Sequence, residues 1–253
     1  MKKASNNQIK QLRKLKQRKY RDKMELFLVE GERGIEQILA NKLLEIEEIF
    51  VDAGAHEQYE SAYPNALLLD KEVFLEITDT ETPQGIIALC HAPAQVEMAE
   101  LINESGIIVA LDRIQDPGNM GTIIRTSSWF GAKAILVGKG SVDLYNPKVV
   151  RSTVGATGVL PTLSGDLNAM LEILEQEGWQ VLLLDGNPSA VNIDTLTKSA
   201  KTILVVGNEA NGIHPDLITK NRTRVMIPFE GNSVYVESLN AALAVGVALY
   251  ALR

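Results

Sequence analysis

Three groups of polar residues in this 253-residue chain each follow an apolar run, and their side chains are of the kinds that hold and polarise a ligand. The first, Asn119-Met120-Gly121-Thr122-Ile123-Ile124-Arg125, offers a carboxamide and a guanidinium. The second, Gly207-Asn208-Glu209-Ala210-Asn211-Gly212, sets a carboxylate and two carboxamides between glycines that let backbone or ligand approach closely. The third joins Ile227-Pro228-Phe229-Glu230-Gly231 to Ser238-Leu239-Asn240. Ligands of open α/β sheets bind outside the carboxyl ends of the strands, so three such ends carrying Asn, Arg, Glu and Ser predict one composite site. Each residue also has an ordinary reading. Asn119 suits a turn or helix cap, Glu209 and Ser238 suit caps, and Arg125 suits a solvated helix face. The loop around Gly118 and Gly121 matches neither G-x-G-x-x-G nor a P-loop, which speaks against a nicotinamide or nucleoside-triphosphate site.

The elements that must position these groups alternate. Strands are expected at 107–112, 133–137, 159–163, 180–185, 202–206 and 224–229, with helical stretches between several of them. The clearest helix, 167–176, is closed by Gly178. This βα alternation predicts a parallel sheet covered on both faces. A loop over 113–121 is expected to lead into a helix from Thr122 that stops before Gly131. On that helix Ile123, Ser127 and Phe130 share a face, and Arg125 lies nearly opposite with Trp129 one turn beyond. An arginine face that includes a large aromatic predicts contact with something outside the domain's own core. The last helix, from Ala241, is apolar nearly all round and is expected to be buried on more than one side. The first third reads as a smaller α/β unit, with strands at 26–29, 48–51, 66–69 and 85–90 and helices at 34–41 and 71–77. The boundary falls near residue 96, giving a first domain at 1–96, a linker at 97–105 and a second domain at 106–253.

The formal net charge of -7 conceals an asymmetry. Residues 1–23 hold ten Lys or Arg and one acid, Asp22, whereas the remainder is strongly acidic. A basic arm of this kind predicts an anionic partner, and nucleic acid is the usual one. Lys10, Arg13, Lys14, Arg18, Lys19 and Arg21 are the candidate phosphate contacts, and Tyr20 could stack on a base. The arm has no apolar core and is not expected to be a secretory signal. The longest apolar run, 241–252, is shorter than the ~20 residues of a membrane span. The lone Cys90 excludes an intrachain disulfide and fits a reducing cytoplasm. His56, His91 and His214 are scattered, so no metal site is expected.

In this order, the clusters resemble the three motifs of the SpoU/TrmH family of RNA ribose 2′-O-methyltransferases, within the SPOUT superfamily. Asp116-Pro117-Gly118-Asn119-Met120-Gly121 with Arg125-Thr126 and Phe130-Gly131-Ala132 resembles the first. Residues 206–213 resemble the second, and Ile227-Pro228 with Ser238-Leu239-Asn240 the third. Phe27-Leu28-Val29-Glu30-Gly31 and Thr82-Pro83-Gln84-Gly85-Ile86 resemble the family's substrate-binding domain.

The resemblance implies an α/β fold whose C-terminal, parallel-sheet SPOUT domain threads a trefoil knot, preceded by a smaller α/β RNA-binding domain. It implies S-adenosylmethionine as cofactor, with contacts at Gly207, Ile227 and Leu239. It implies a homodimer in which Arg125 acts across the interface. Asn119 would help Arg125 at the ribose hydroxyl, while Glu209, Ser238 and Asn240 would order the loops or touch the ribose. The substrate would be structured RNA, ribosomal RNA ahead of transfer RNA, and Lys148 and Arg151 are further candidates for phosphate contacts. Six residues, 232–237, separate Gly231 from Ser238, more than the family's usual spacing, so a longer cofactor loop is expected beside Leu239. Two alternatives stand beside this reading: a non-catalytic RNA-binding or ribosome-assembly protein on the same fold, and a nucleotide-dependent enzyme of ordinary doubly wound type.

Overall fold

The computed structural model describes residues 1–187, 189–197, 199–229 and 238–253. The expected long loop at 232–237 lies outside the described residues. The chain forms two compact units: Met1–Ala94 with Asp143–Gly158, and Gln95–Val142 with Val159–Arg253.

Unit 1 begins with β1 (Lys2–Lys3), α1 (Asn6–Leu15), α2 (Arg18–Met24), β2 (Leu26–Glu30) and α3 (Glu32–Asn41). It continues through β3 (Ile46–Asp52), α4 (His56–Tyr59), β4 (Leu67–Leu69), α5 (Lys71–Ile77) and β5 (Ile86–His91). The sheet order is β1-β4-β3-β5-β2, parallel across β1, β4 and β3 and antiparallel from β3 through β5 to β2. Side chains alternate between its faces, as the period of two requires. Leu26 and Leu28 join Ile87 and Leu89 under α1 and α5, while Phe27 and Val29 join Ile86, Ala88 and Cys90 under α3. Ser5 starts α1 with a capping box, its hydroxyl accepting from the Gln8 N–H while the Gln8 side chain accepts from the Ser5 N–H. The basic arm is therefore folded: Leu12 and Leu15 are fully buried.

Unit 2 comprises α6 (Met98–Ile102), β6 (Gly106–Leu111), α7 (Pro117–Trp129) and β7 (Ala134–Gly138). The chain then makes an excursion through α8 (Pro147–Thr153), which belongs to unit 1. It returns to unit 2 for β8 (Thr162–Gly165), α9 (Leu167–Gln176), β9 (Gln180–Leu184), β10 (Val191–Asn192), β11 (Lys201–Val206), β12 (Thr223–Met226) and α10 (Ala241–Leu252). All six strand pairings in the order β10-β12-β9-β11-β6-β7-β8 are parallel. The central strands read as unbroken apolar runs because both faces are covered.

Several elements depart from the sequence expectation. The stretch 97–105 carries α6, whose Leu101 is buried in the unit 2 core. Residues 143–158, expected in the second domain, fold with unit 1: Val150 enters its core and Tyr145 lies 4.7 Å from Phe27, ring centre to ring centre. Helix α7 starts at Pro117 rather than Thr122, because Asp116 caps it and a proline at the first helical position sacrifices no hydrogen bond. Among the described residues no helix is long and apolar enough to cross a membrane.

Candidate functional site

Sheet order explains why the first two motifs meet. Strand β6 sends its chain outward to β7 and β8, while its other neighbour is β11, so the order switches direction between β6 and β11. Open α/β sheets bind ligands at such a switch point. Leu111 pairs with Val206 at the end of both strands, so the loops beginning at Asp112 and Gly207 emerge side by side.

Backbone and buried polar groups fasten these loops together. The Asp112 N–H donates to Val206 O at 2.8 Å, and Asn208 Nδ2 donates to Arg113 O at 2.9 Å. The buried Asp112 carboxylate accepts from the His214 N–H at 2.7 Å and from its neighbour Arg113. Asn208 Oδ1 accepts from the N–H groups of Ala210 and Asn211, closing a tight turn. A Cβ at Gly207 would run into the backbone of Gly212 and Ile213, so only glycine fits there, and Gly212 itself has φ +65°.

A second set of bonds links all three motifs. Glu209 accepts from Asn119 Nδ2 at 3.0 Å and from the N–H groups of Asp116 (3.3 Å) and Gln115 (3.4 Å). An ionised carboxylate only accepts, so it orients the Asn119 amide and turns Oδ1 the other way. That oxygen accepts from Asn240 Nδ2 at 2.8 Å. Asn240 is oriented in turn by the start of α10, where its Oδ1 accepts from the N–H groups of Ala242 (2.9 Å) and Leu243 (3.2 Å). The Glu209 charge also sits at the amino end of α7, where the helix dipole favours an anion.

Thus Glu209, Asn119 and Asn240 come together, and two expectations change. Asn119 lies inside the first turn of α7, and Asp116 is the cap, its Oδ1 accepting from the Asn119 N–H at 2.7 Å. Asn240, not Ser238, caps α10, because α10 begins at Ala241 and only Asn240 immediately precedes it. Ser238 is exposed and has no hydrogen-bond partner among the described residues. Gly207 and Ile227 are half-buried at the ends of β11 and β12, and Leu239 is exposed.

Arg125 projects from α7 two turns after the cap. It is exposed and has no hydrogen bond or ion pair among the described residues. Ile123 and Ser127 on the opposite face are fully buried, as the helical wheel requires. Trp129 beside it is 85% exposed, and α10, which packs along α7, exposes Leu243, Val247 and Tyr250. The burial of α10 on several sides, expected from its composition, is therefore incomplete in a single chain.

The cationic candidates divide. Lys10, Lys14, Arg18, Lys19 and Lys148 are exposed. Arg13 is held by Glu76 at 2.7 Å, a contact that holds the Glu76 carboxyl below and the Arg13 guanidinium above its ordinary range. Arg21 departs from the expected phosphate contact. Its side chain is 4% exposed, bonds Asp143 at 2.6 Å and donates to Leu15 O, so it is an internal brace. Arg151 bridges Glu30 and Asp79. Sequence reading gave no role to Asp112, whose carboxylate accepts from the His214 N–H, and did not foresee that Asn208 of the second motif fastens the loops; the position of Asp112 at the end of β6 was the available signal. Among the described residues no three His, Cys, Asp or Glu side chains are grouped to hold a metal.

The fold and site define an α/β protein with bonded polar motifs at the switch point of a parallel sheet. The model of the SpoU rRNA methylase family matches residues 106–250, and that of the MRM3-like substrate binding domain matches residues 6–88. The chain belongs to the SpoU rRNA methylase family. It is 33% identical to the 23S rRNA (guanosine(2553)-2′-O)-methyltransferase RlmP of Bacillus subtilis, over 99% of this chain and 97% of that protein. Among solved structures, a putative RNA methyltransferase of the TrmH family from Porphyromonas gingivalis is similar at TM-score 0.82 and 32% identity, covering 99% of this chain and 98% of that one. An AdoMet-bound rRNA methyltransferase from Sinorhizobium meliloti is similar at TM-score 0.82 and 28% identity, covering 100% and 96%.

Proposed function

We propose that the protein transfers a methyl group from S-adenosylmethionine to a ribose 2′-hydroxyl of ribosomal RNA. The observation that carries this reading is the bonded chain Glu209–Asn119–Asn240, which ties the three strand-end motifs together. The activities and ligand named for the Bacillus and Sinorhizobium relatives support the substrate and the donor.

The residues fit that donor. S-adenosylmethionine carries a nucleoside and no phosphate, and the three motifs contain no lysine and no phosphate-binding glycine loop. Gly207, Ile227 and Leu239 would hold it, through turn backbone and the apolar Ile227 and Leu239 side chains. Bound there, it supplies an electrophilic methyl group. Glu209 and Asn240 hold Asn119, and through it the start of α7, in one orientation. Holding the acceptor oxygen in line with the methyl group is itself a large part of catalysis. The Arg125 guanidinium carries only N–H donors and no acceptor, so it does not take the hydroxyl proton. Its guanidinium stabilises the negative charge that develops on the 2′-oxygen, and the proton leaves to an RNA phosphate or water.

The same proposal includes a cytoplasmic homodimer with a trefoil knot in unit 2. The dimer is supported by the exposed Trp129, Leu243, Val247 and Tyr250, an apolar surface of the kind partners cover, and it would carry Arg125 to the partner's site. Unit 1 and the exposed Lys10, Lys14, Arg18 and Lys19 would hold structured RNA, largely by shape and phosphate contacts. Lys148 would add to them. The test is transfer of tritiated methyl from S-adenosylmethionine to ribosomal RNA from cells lacking this gene, with the 2′-O-methylated position mapped. Methyl incorporation at a ribose is expected; RNA binding without incorporation would favour the non-catalytic alternative and sink the enzyme.

A further inference from the structure

Unit 1 contains a cavity of about 250 Å³ that the methyl-transfer chemistry does not use. Its walls include Val29, Glu30 and Gly31 at the end of β2, residues 82–84, and α8 with the turn after it. The floor is apolar: Val29, Ile38, Ile86 and Val150 are each at most 4% exposed. Sites for drug-sized ligands run to roughly 300–1,000 Å³, so this one suits a single planar ring system.

The polar rim is braced before any ligand arrives. The Glu30 carboxylate, 6% exposed, accepts from the Asp79 N–H (2.9 Å), the Thr80 hydroxyl (3.1 Å) and Arg151 Nη1 (3.5 Å). Arg151 Nη2 donates to Asp79 at 3.1 Å, so both acids are engaged and the other donors of its planar fork stay without partners among the described residues. Gln84 uses its carbonyl oxygen on the Glu32 N–H at 3.0 Å, which leaves its amide N–H groups without partners among the described residues. Arg33, at the mouth, is exposed and has no hydrogen bond or ion pair there either.

An apolar slot edged by N–H donors, with a free cation at its entrance, matches an unstacked nucleobase and its phosphate. Sequence-specific RNA readers take up such splayed bases from loops and bulges. Uracil and guanine present carbonyl acceptors where cytosine and adenine present amino donors. We propose that this cavity seats one unstacked keto nucleotide, uridine or guanosine, of the substrate RNA, with its phosphate at Arg33. The inference rests on the RNA-substrate reading of unit 1, and the nucleotide is a recognition element separate from the one methylated.

Fluorescence anisotropy on the full chain tests it, using equal-length single strands of uridine, of adenosine and of abasic ribose phosphate. The uridine strand is expected to bind about tenfold more tightly than the other two, the discrimination of one base-edge contact. Thr82→Trp, an exposed rim position, should plug the mouth and erase that preference without changing the melting temperature. Arg33→Ala should lower the slope of log affinity against log salt by about 0.7, one phosphate on a single strand. Equal binding of uridine and abasic strands by the wild type, or a preference that survives Thr82→Trp, overturns the seat; an unchanged slope in Arg33→Ala overturns the phosphate contact. Calorimetric uptake of S-adenosylmethionine on the same samples reads unit 2 separately. Absent uptake beside an intact uridine preference would sink the methyl-transfer reading and leave this one standing.

Discussion

Arg21 in unit 1 and Arg125 in unit 2 carry the same charge and meet opposite fates. Arg21 is sealed against Asp143 and the Leu15 carbonyl, a brace between α2 and the excursion that holds α8. Arg125 faces outward with no partner among the described residues, whereas Glu209, Asn119 and Asn240 of the same unit are bonded in a chain. Those three orient one another, with Glu209 accepting from Asn119 and Asn119 accepting from Asn240. A polar frame whose members are mutually satisfied holds its geometry, and an exposed cation without a partner remains available to a ligand. Unit 1 pairs its buried arginine internally, and unit 2 leaves Arg125 exposed, where the proposed chemistry would use it.

The contrast can be broken most forcefully at Arg21. Arg21→Ala should cost about 3–5 kcal/mol in denaturant unfolding, because it strands a buried Asp143 charge. A loss below about 0.5 kcal/mol, the range of ordinary surface changes, would remove the brace from the argument. Arg125→Ala should do the reverse: unchanged melting temperature and calorimetric cofactor affinity, with single-turnover methyl transfer slowed about 10²–10³-fold. Trp129→Asp sharpens the outward half. If that face is an interface, the dimer dissociation constant read by sedimentation should rise by about 2 kcal/mol equivalent, and a monomeric wild type would sink the shared site. Replacing Lys10, Lys14 and Lys19 by Gln should lower the salt slope of RNA binding by about one per residue, while Arg21→Met leaves it unchanged.

The smallest effect concerns Cys90, fully buried on unit 1's sheet, where desolvation pushes its thiol from 9.0 up to about 12. The unfolded chain releases this proton near 9.0 and the folded chain keeps it, so above that value the unfolded state binds fewer protons and stability falls as pH rises. The first pH unit above 9.0 should cost about 1 kcal/mol from this group. A native thiol that reacts with a disulfide reagent as fast as the unfolded one would refute its burial.

Much of the fold was legible because its signals are local. The run at 202–206 could only be a central strand, and Ile123 with Ser127 marked the inner face of α7. Other features hid because their causes lie far away in sequence. Nothing near Arg21 announces Asp143, and nothing in 143–158 says that Val150 will complete the core of unit 1. Ser238 and Asn240 are both good caps by type; where α10 begins decided between them. Asp116 could have been recognised, since an acid directly before a proline is a helix start, but the glycines that follow it read as loop.

Residue types and spacing alone determined the two α/β halves, the basic start of the chain and the presence of three polar motifs after strands, since periodicity and turn chemistry act over a few residues. Tertiary structure alone decided which side chains became frame and which stayed free. Placing β11 beside β6 brings Glu209 to Asn119, 90 positions away, and Asn119 in turn meets Asn240, 121 positions away. A hydrogen bond depends on separation in space, and sheet order sets that.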